Sequence, residues 1–156
     1  MRLLWLSGLA ALALLATLAW TLAPLQPGVV ALQLAFTPGA FGGIVHAWPV
    51  EHLQRYLAHL PWDGVLLVCY GSFGWLLATR TRVFEACPPA LRRAARWLLP
   101  WAALFDAVEN LLHAWLASAP RFGVPWAYAL SATASSLKWL LLLAFAGLTA
   151  SALARR

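Results

Sequence analysis

The chain has 156 residues, of which 63% are hydrophobic and only 10% are charged. Soluble domains are typically about 45–50% apolar and about 25% charged, so a water-soluble domain of this size could not bury so much apolar surface. The net charge of +6 would suit nucleic acid, but the arginines stand at the ends of apolar runs, which is the pattern that sets membrane topology. Composition therefore predicts one polytopic membrane domain over residues 1–156, with the lipid bilayer as its partner and no nucleic acid.

The first long apolar run covers about residues 3–23 and is long enough to cross a bilayer as a helix. A cleavable signal peptide is the alternative reading, although the apolar region of such a peptide would be shorter, about 7–15 residues. Pro24 and the pair Pro27-Gly28 end the run. The stretch at 29–36 is also apolar, but it is too short to cross.

The segment that follows predicts two short helices outside the hydrocarbon, at about 38–48 and 50–60. Thr37 suits the N-cap of the first of them, with Pro38 at the first helical position. Pro49 separates the two helices. The second places its apolar residues on one face and its polar residues on the other, so we expect it to lie in the membrane interface or to cap the bundle.

Three further apolar runs predict membrane-spanning helices at about 61–79, 97–118 and 126–150. The fold class predicted from sequence is therefore an all-α membrane protein with four transmembrane helices. The arginines on one side of the runs number eight: Arg2, Arg80, Arg82, Arg92, Arg93, Arg96, Arg155 and Arg156. Only Arg55 and Arg121 fall on the other side, so the positive-inside rule predicts a multi-pass inner-membrane protein with cytoplasmic termini and a cytoplasmic 80–96 loop.

The third of the four runs carries polar residues where hydrocarbon penalises them most. Asp106, Glu109 and Asn110 lie near its middle, and His113 follows one turn later. Insertion scales put a central Asp at about +2.5 to +3.5 kcal/mol, so a carboxyl at this depth needs a partner, a proton or water. One candidate partner is Lys138 in the fourth run, which is the only lysine in the chain.

Residue counts give the depth of these groups in the bilayer. Counting inward from Pro120 and Pro125 at about 1.5 Å per residue brings Asp106 and Lys138 to the same level, near mid-membrane. The same counting, started at Pro61, places Tyr70 level with Asn110. The predicted cluster comprises Tyr70, Asp106, Glu109, Asn110, His113 and Lys138, with Asp63 and Ser135 as further candidates. Because two acids face one lysine, we expect one acid to be ion-paired and the other to be protonated.

Four motifs lie between about Leu32 and Phe145. They are the external segment LQLAFTPGAFGGIVHAW, the segment WDGVLLVCY with its D-x6-Y spacing, the segment FDAVENLL in the third span, and the lysine in SSLKWLLLLAF. Together they resemble an uncharacterised bacterial family of small four-span inner-membrane proteins. The most specific of the motifs is D-x-x-E-N inside an apolar helix. The resemblance implies that the family's polar positions are Asp63, Tyr70, Asp106, Glu109, Asn110 and Lys138, and it implies no reaction.

The chain has no nucleotide-binding loop, no haem motif and no recognisable nucleophile–His–acid set, so the sequence predicts no cofactor. A metal site is also not expected. His46, His52 and His59 do not share one helical stripe, and solvated histidines near the interface are the simpler interpretation.

Three functions fit the predicted cluster. A binding or transport-accessory module would hold a proton, an ion or the head of an amphiphile, and with so few spans it would act as a homo-oligomer or with a membrane-protein partner. A membrane enzyme acting on a lipid or isoprenoid would use Asp106 or Glu109 as general acid or base, assisted by His113. A structural or assembly subunit would use the cluster only to fix helix packing. The sequence favours a role without catalysis.

Overall fold

The computed structural model of this chain describes residues 1–119 and 121–155. These residues form six helices and no strand, which confirms the predicted all-α class. The helices are α1 (Arg2–Leu22), α2 (Val29–Gln33), α3 (Pro38–Ala47), α4 (Val50–Arg80), α5 (Pro89–Ser118) and α6 (Pro125–Ala154). Pro120, from which depth was counted, and Arg156, counted among the inner arginines, lie outside the described residues.

Three helices, α1, α4 and α6, are long and apolar enough to cross a membrane. The sequence predicted four such helices, and the one that falls short is α5. With 30 residues α5 is as long as α6, so length is not the reason. Its polar content is higher, since it has arginines in its first turns and acids in its middle.

The predicted interfacial helix at 50–60 is not a separate element. It is the first part of α4, which continues through Pro61 for 31 residues in all. A proline inside a helix removes one backbone hydrogen bond, but helices packed alongside can compensate for that loss. Tyr56, His59 and Leu60 are buried in this part of α4, so the prediction of a separate helix at 50–60 was wrong, and one face of this part packs inside the bundle.

The short helices fold over one end of the long ones. Thr37 caps α3 as predicted, because its hydroxyl accepts a hydrogen bond of 3.2 Å from the backbone amide of Ala40. Trp48, just after α3, donates from Nε1 to the carbonyl oxygen of Pro27 at 2.8 Å. Phe41 and Trp48 are both buried, so the segment 25–48 forms an apolar core with the ends of α4, α5 and α6.

The long helices pack in the order α1, α4, α5, α6, so that α5 has a long helix on each side. Two glycines of α4 let α5 approach closely. A Cβ atom at Gly74 would lie 2.6 Å from Leu99 Cβ, and one at Gly71 would lie 3.1 Å from Ala103 Cβ. Small residues allow this kind of contact between membrane helices. The close approach brings the neighbouring Tyr70 within reach of α5.

A second apolar core lies at the opposite end, where Phe84 packs with Leu99 and Phe145. Along α5 the polar residues Asp106 and Glu109 fall between the two apolar cores. The fold therefore seals the middle of the bundle from both ends and leaves a polar region inside it.

Candidate functional site

The centre of the bundle holds one ammonium between two carboxylates. Lys138 Nζ on α6 donates a hydrogen bond of 3.0 Å to Asp106 Oδ1 on α5. The same Nζ lies 2.6 Å from Glu109 Oε2, which is an ion-pair distance without the alignment of a hydrogen bond. Only 4% of Asp106, 1% of Glu109 and 5% of Lys138 are exposed. We call these three residues the Lys138 cluster, and the structure brings them together as the sequence predicted.

Local sequence explains this geometry. Asp106 and Glu109 are three residues apart on a helix, so their side chains project from one face toward α6. The part of α6 before Lys138 is lined with buried small residues, among them Ser131, Ala134 and Ser135. These let α6 lie against α5, so that Lys138 reaches both acids.

Tyr70 ties the third helix to the cluster. Its hydroxyl donates a hydrogen bond of 2.9 Å to Asp106 Oδ2, while Asp106 Oδ1 accepts from Lys138. Both oxygens of one carboxylate are thus occupied by donors from different helices, α4 and α6. Asp106 is the residue through which α4, α5 and α6 are joined.

A second set of contacts leads from Glu109 toward the short helix α3. His113 Nδ1 lies 3.9 Å from Glu109 Oε1, and the Tyr56 hydroxyl lies 2.5 Å from the same Nδ1. His59 Nδ1 in turn contacts the backbone carbonyl of Tyr56. His113 and Tyr56 are almost fully buried, and the edge of the His113 ring meets Phe41 at a centroid distance of 5.3 Å.

Sequence reasoning missed Tyr56, which lay in a segment interpreted as interfacial. The sequence does contain a pattern that would have indicated Tyr56. Tyr56, Asp63 and Tyr70 follow one another at intervals of seven residues, so all three share one face of α4. His59 was also misassigned, since it is buried rather than solvated.

Asp63 and Asn110 form a pair of their own. Asn110 Nδ2 donates to Asp63 Oδ2 at 2.7 Å, and both residues are partly exposed. The sequence placed Asn110 level with Tyr70, whereas the partner of Tyr70 is Asp106, one turn deeper. The error comes from counting depth from Pro61, which lies inside α4 and does not mark its end.

Ser135, the remaining candidate, is fully buried, and its hydroxyl donates to the carbonyl oxygen of Ser131 at 3.1 Å. Its hydrogen bond is therefore satisfied within α6. Cavities of about 400, 290 and 570 Å³ lie elsewhere on the bundle, and none of the three is lined by the Lys138 cluster. Within residues 1–119 and 121–155, no three His, Cys, Asp or Glu side chains are grouped to hold a metal ion.

Fully ionised, the Lys138 cluster would carry one ammonium and two carboxylates, a net charge of −1 on residues that are at most 5% exposed. Burial of an uncompensated charge is unfavourable by several kcal/mol or more, so one proton on either acid would relieve it. The arrangement is thus suited chemically to hold a proton, and also to join helices.

No protein-family model, no curated protein and no solved structure matches this chain. The class of this protein therefore rests on its own fold and site. Over residues 1–119 and 121–155 it is all-helical with three helices long and apolar enough to cross a membrane, and a buried ionic cluster links two of its long helices.

Proposed function

We propose that this protein is a proton-binding module of the bacterial inner membrane, in which Asp106 and Glu109 share one proton beside Lys138. The observation that carries the proposal is the placement of a single ammonium 3.0 Å from one carboxylate and 2.6 Å from another, with all three residues at most 5% exposed. A proton is the smallest charge that makes this set neutral. The cavities of about 400, 290 and 570 Å³ are not lined by these three residues.

The proposal includes α5 as a fourth span. Its 30 residues extend about 45 Å at about 1.5 Å per residue, enough to cross a bilayer. Its polar residues Asp106, Glu109 and His113 are buried, whereas large apolar residues such as Leu104 and Leu111 are exposed. A helix whose middle buries its acids and exposes leucine is suited to lipid rather than to water over that part.

Orientation and family membership belong to the same proposal. Arginines crowd the ends of the long helices on one side, which supports a cytoplasmic location for the termini and for the loop between α4 and α5. The D-x-x-E-N motif supports membership in the family of small four-span inner-membrane proteins that the chain resembles. Its two acids are Asp106 and Glu109, both in contact with Lys138.

A path for proton exchange is supported by the contacts on the far side of Glu109. The separation of 3.9 Å between Glu109 Oε1 and His113 Nδ1 is about 1 Å longer than an ordinary hydrogen bond. His113 Nδ1 then contacts the Tyr56 hydroxyl, which is the next exchangeable group. A small rotation of the Glu109 side chain would connect the cluster to this chain of exchangeable groups.

Infrared spectroscopy of the purified protein in lipid vesicles tests the proposal. We expect a protonated-carboxyl band at neutral pH that shifts in heavy water. Because the proton is shared, the band should disappear both in Asp106→Asn and in Glu109→Gln, since the remaining acid then pairs with Lys138 alone. Glu51→Gln, at an exposed position of α4, is the control and should leave the band unchanged.

Two results would count against a shared proton. One is a spectrum without any protonated-carboxyl band at neutral pH. The other is a band that survives both substitutions and disappears only in Asp63→Asn, which would assign the proton to the Asp63–Asn110 pair.

A structural role is the second candidate, and the sealed packing of the cluster favours it. Buried polar groups can fix the register and partner choice of membrane helices without any chemistry. The paired variant Asp106→Asn with Lys138→Met separates the two functions. If the phenotype of a deletion strain is restored by this folded variant, the cluster serves packing; if it is not restored, the charges themselves are needed.

A further inference from the structure

A groove between α1 and α4 lies outside the Lys138 cluster. Its volume is about 400 Å³, and its walls are mostly apolar, with Leu14 and Leu18 contributed by α1. The polar side chains concentrate toward one end, where Thr21, Arg55 and His59 line it. The groove is therefore amphipathic along its length, as a lipid is.

Arg55 supplies the charge at the polar end. It is exposed, and its Nη1 donates a hydrogen bond of 3.5 Å to the carbonyl oxygen of Thr21, in the last turn of α1. Among the described residues, no carboxylate lies within ion-pair distance of Arg55, including Glu51 one helical turn away. A guanidinium has five N–H donors in a planar fork, so donors remain free for the oxygens of a phosphate.

The length of the groove corresponds to the upper part of one membrane leaflet. With α1 across the bilayer in the orientation of the proposed function, its end at Leu22 puts Thr21 and Arg55 at the level of the outer headgroups. Leu14 is seven residues deeper, about 10 Å at about 1.5 Å per residue. A leaflet contributes about 15 Å of hydrocarbon, so the groove accommodates the upper part of an acyl chain.

We propose that this groove binds an anionic phospholipid of the outer leaflet, with its phosphate on Arg55 and one acyl chain along Leu14 and Leu18. No carboxylate lines the cavity, so it offers no negative charge to the ammonium group of a zwitterionic headgroup. The proposal does not depend on a proton in the Lys138 cluster. His59 lines the groove and also contacts Tyr56, so the bound lipid lies against the contacts that lead to His113.

Native mass spectrometry of the full chain tests the proposal. The protein is released from detergent micelles that contain phosphatidylglycerol and phosphatidylcholine in equal amounts. We expect one retained phosphatidylglycerol per chain and a preference over phosphatidylcholine of about tenfold, which corresponds to about 1.4 kcal/mol. Arg55→Gln should abolish the preference, whereas Arg121→Gln, which removes a partly exposed arginine that does not line the groove, should preserve it.

A second pair of variants tests the apolar part. Ala58→Trp places a large ring in the groove and should remove the retained lipid, whereas Val65→Trp adds the same ring to an exposed position of α4 outside it. Equal retention of both lipids, or equal behaviour of the two arginine variants, would overturn the proposal. So would displacement of the lipid by inorganic phosphate, which would indicate a soluble ligand, or a dimer that Ala58→Trp dissociates, which would assign the groove to a second copy of the chain.

Discussion

Lys138→Met removes the only ammonium that contacts the two buried acids. In the native protein that ammonium lies 3.0 Å from Asp106 and 2.6 Å from Glu109, and neither acid is more than 4% exposed. Removal of one partner from a buried ion pair typically costs about 3–5 kcal/mol, because the other charge is left uncompensated. Methionine nearly preserves the length and volume of the side chain, so little of the loss comes from a cavity. We expect the free energy of unfolding to fall by about 3–5 kcal/mol.

The matched control variant removes both acidic side chains together with the ammonium. The triple variant Lys138→Met, Asp106→Asn, Glu109→Gln has no charge in the cluster, and replacement of a whole buried ionic set is often close to neutral. We expect it to recover at least half of the stability that Lys138→Met loses. The assay is denaturant unfolding in lipid–detergent micelles, followed by circular dichroism. A loss below about 1 kcal/mol in the single variant, or a triple variant less stable than the single one, would refute the reasoning.

Two further predictions concern the contacts of α4 with α5. Tyr70→Phe deletes the donor to Asp106 Oδ2 and should lower the free energy of unfolding by about 1.5–3 kcal/mol in the same assay. Gly74→Ala should cost about 1–3 kcal/mol, because its Cβ would lie 2.6 Å from Leu99 Cβ. Gly64→Ala has open space on the same helix and should be neutral or stabilising, so a greater loss at Gly64 than at Gly74 would contradict the packing described.

Much of the fold could be predicted because apolar length and proline positions are local properties of the sequence. The runs at 3–23 and 126–150 correspond to α1 and α6, and Thr37-Pro38 begins α3 as expected. The end of one helix was misplaced because Pro61 has the sequence signature of a helix boundary. Whether a proline breaks a helix depends on the helices packed beside it, and a single sequence does not show them.

Part of the site could be predicted from the depth of its residues in the membrane alone. Asp106 and Lys138 lie within one residue of the same distance from the turn that joins their helices, so their contact could be inferred by counting residues. Counting gives no information on which neighbouring helix a side chain faces. For that reason Asn110 was grouped with the cluster, although it pairs with Asp63, and Tyr56 was missed.

Solid-state NMR in lipid bilayers tests most directly whether one ammonium and two acids meet inside the bundle. Lys138 is the only lysine in the chain, so ¹⁵N-lysine labelling gives a single ammonium signal, and the chain has only five acids whose side-chain carboxyls need ¹³C labels. We predict that the ammonium signal is dephased by two carboxyl carbons, and that Asp106→Asn and Glu109→Gln each remove one of them. Dephasing by a single carbon or by none, in protein that is folded in the bilayer, would contradict the account.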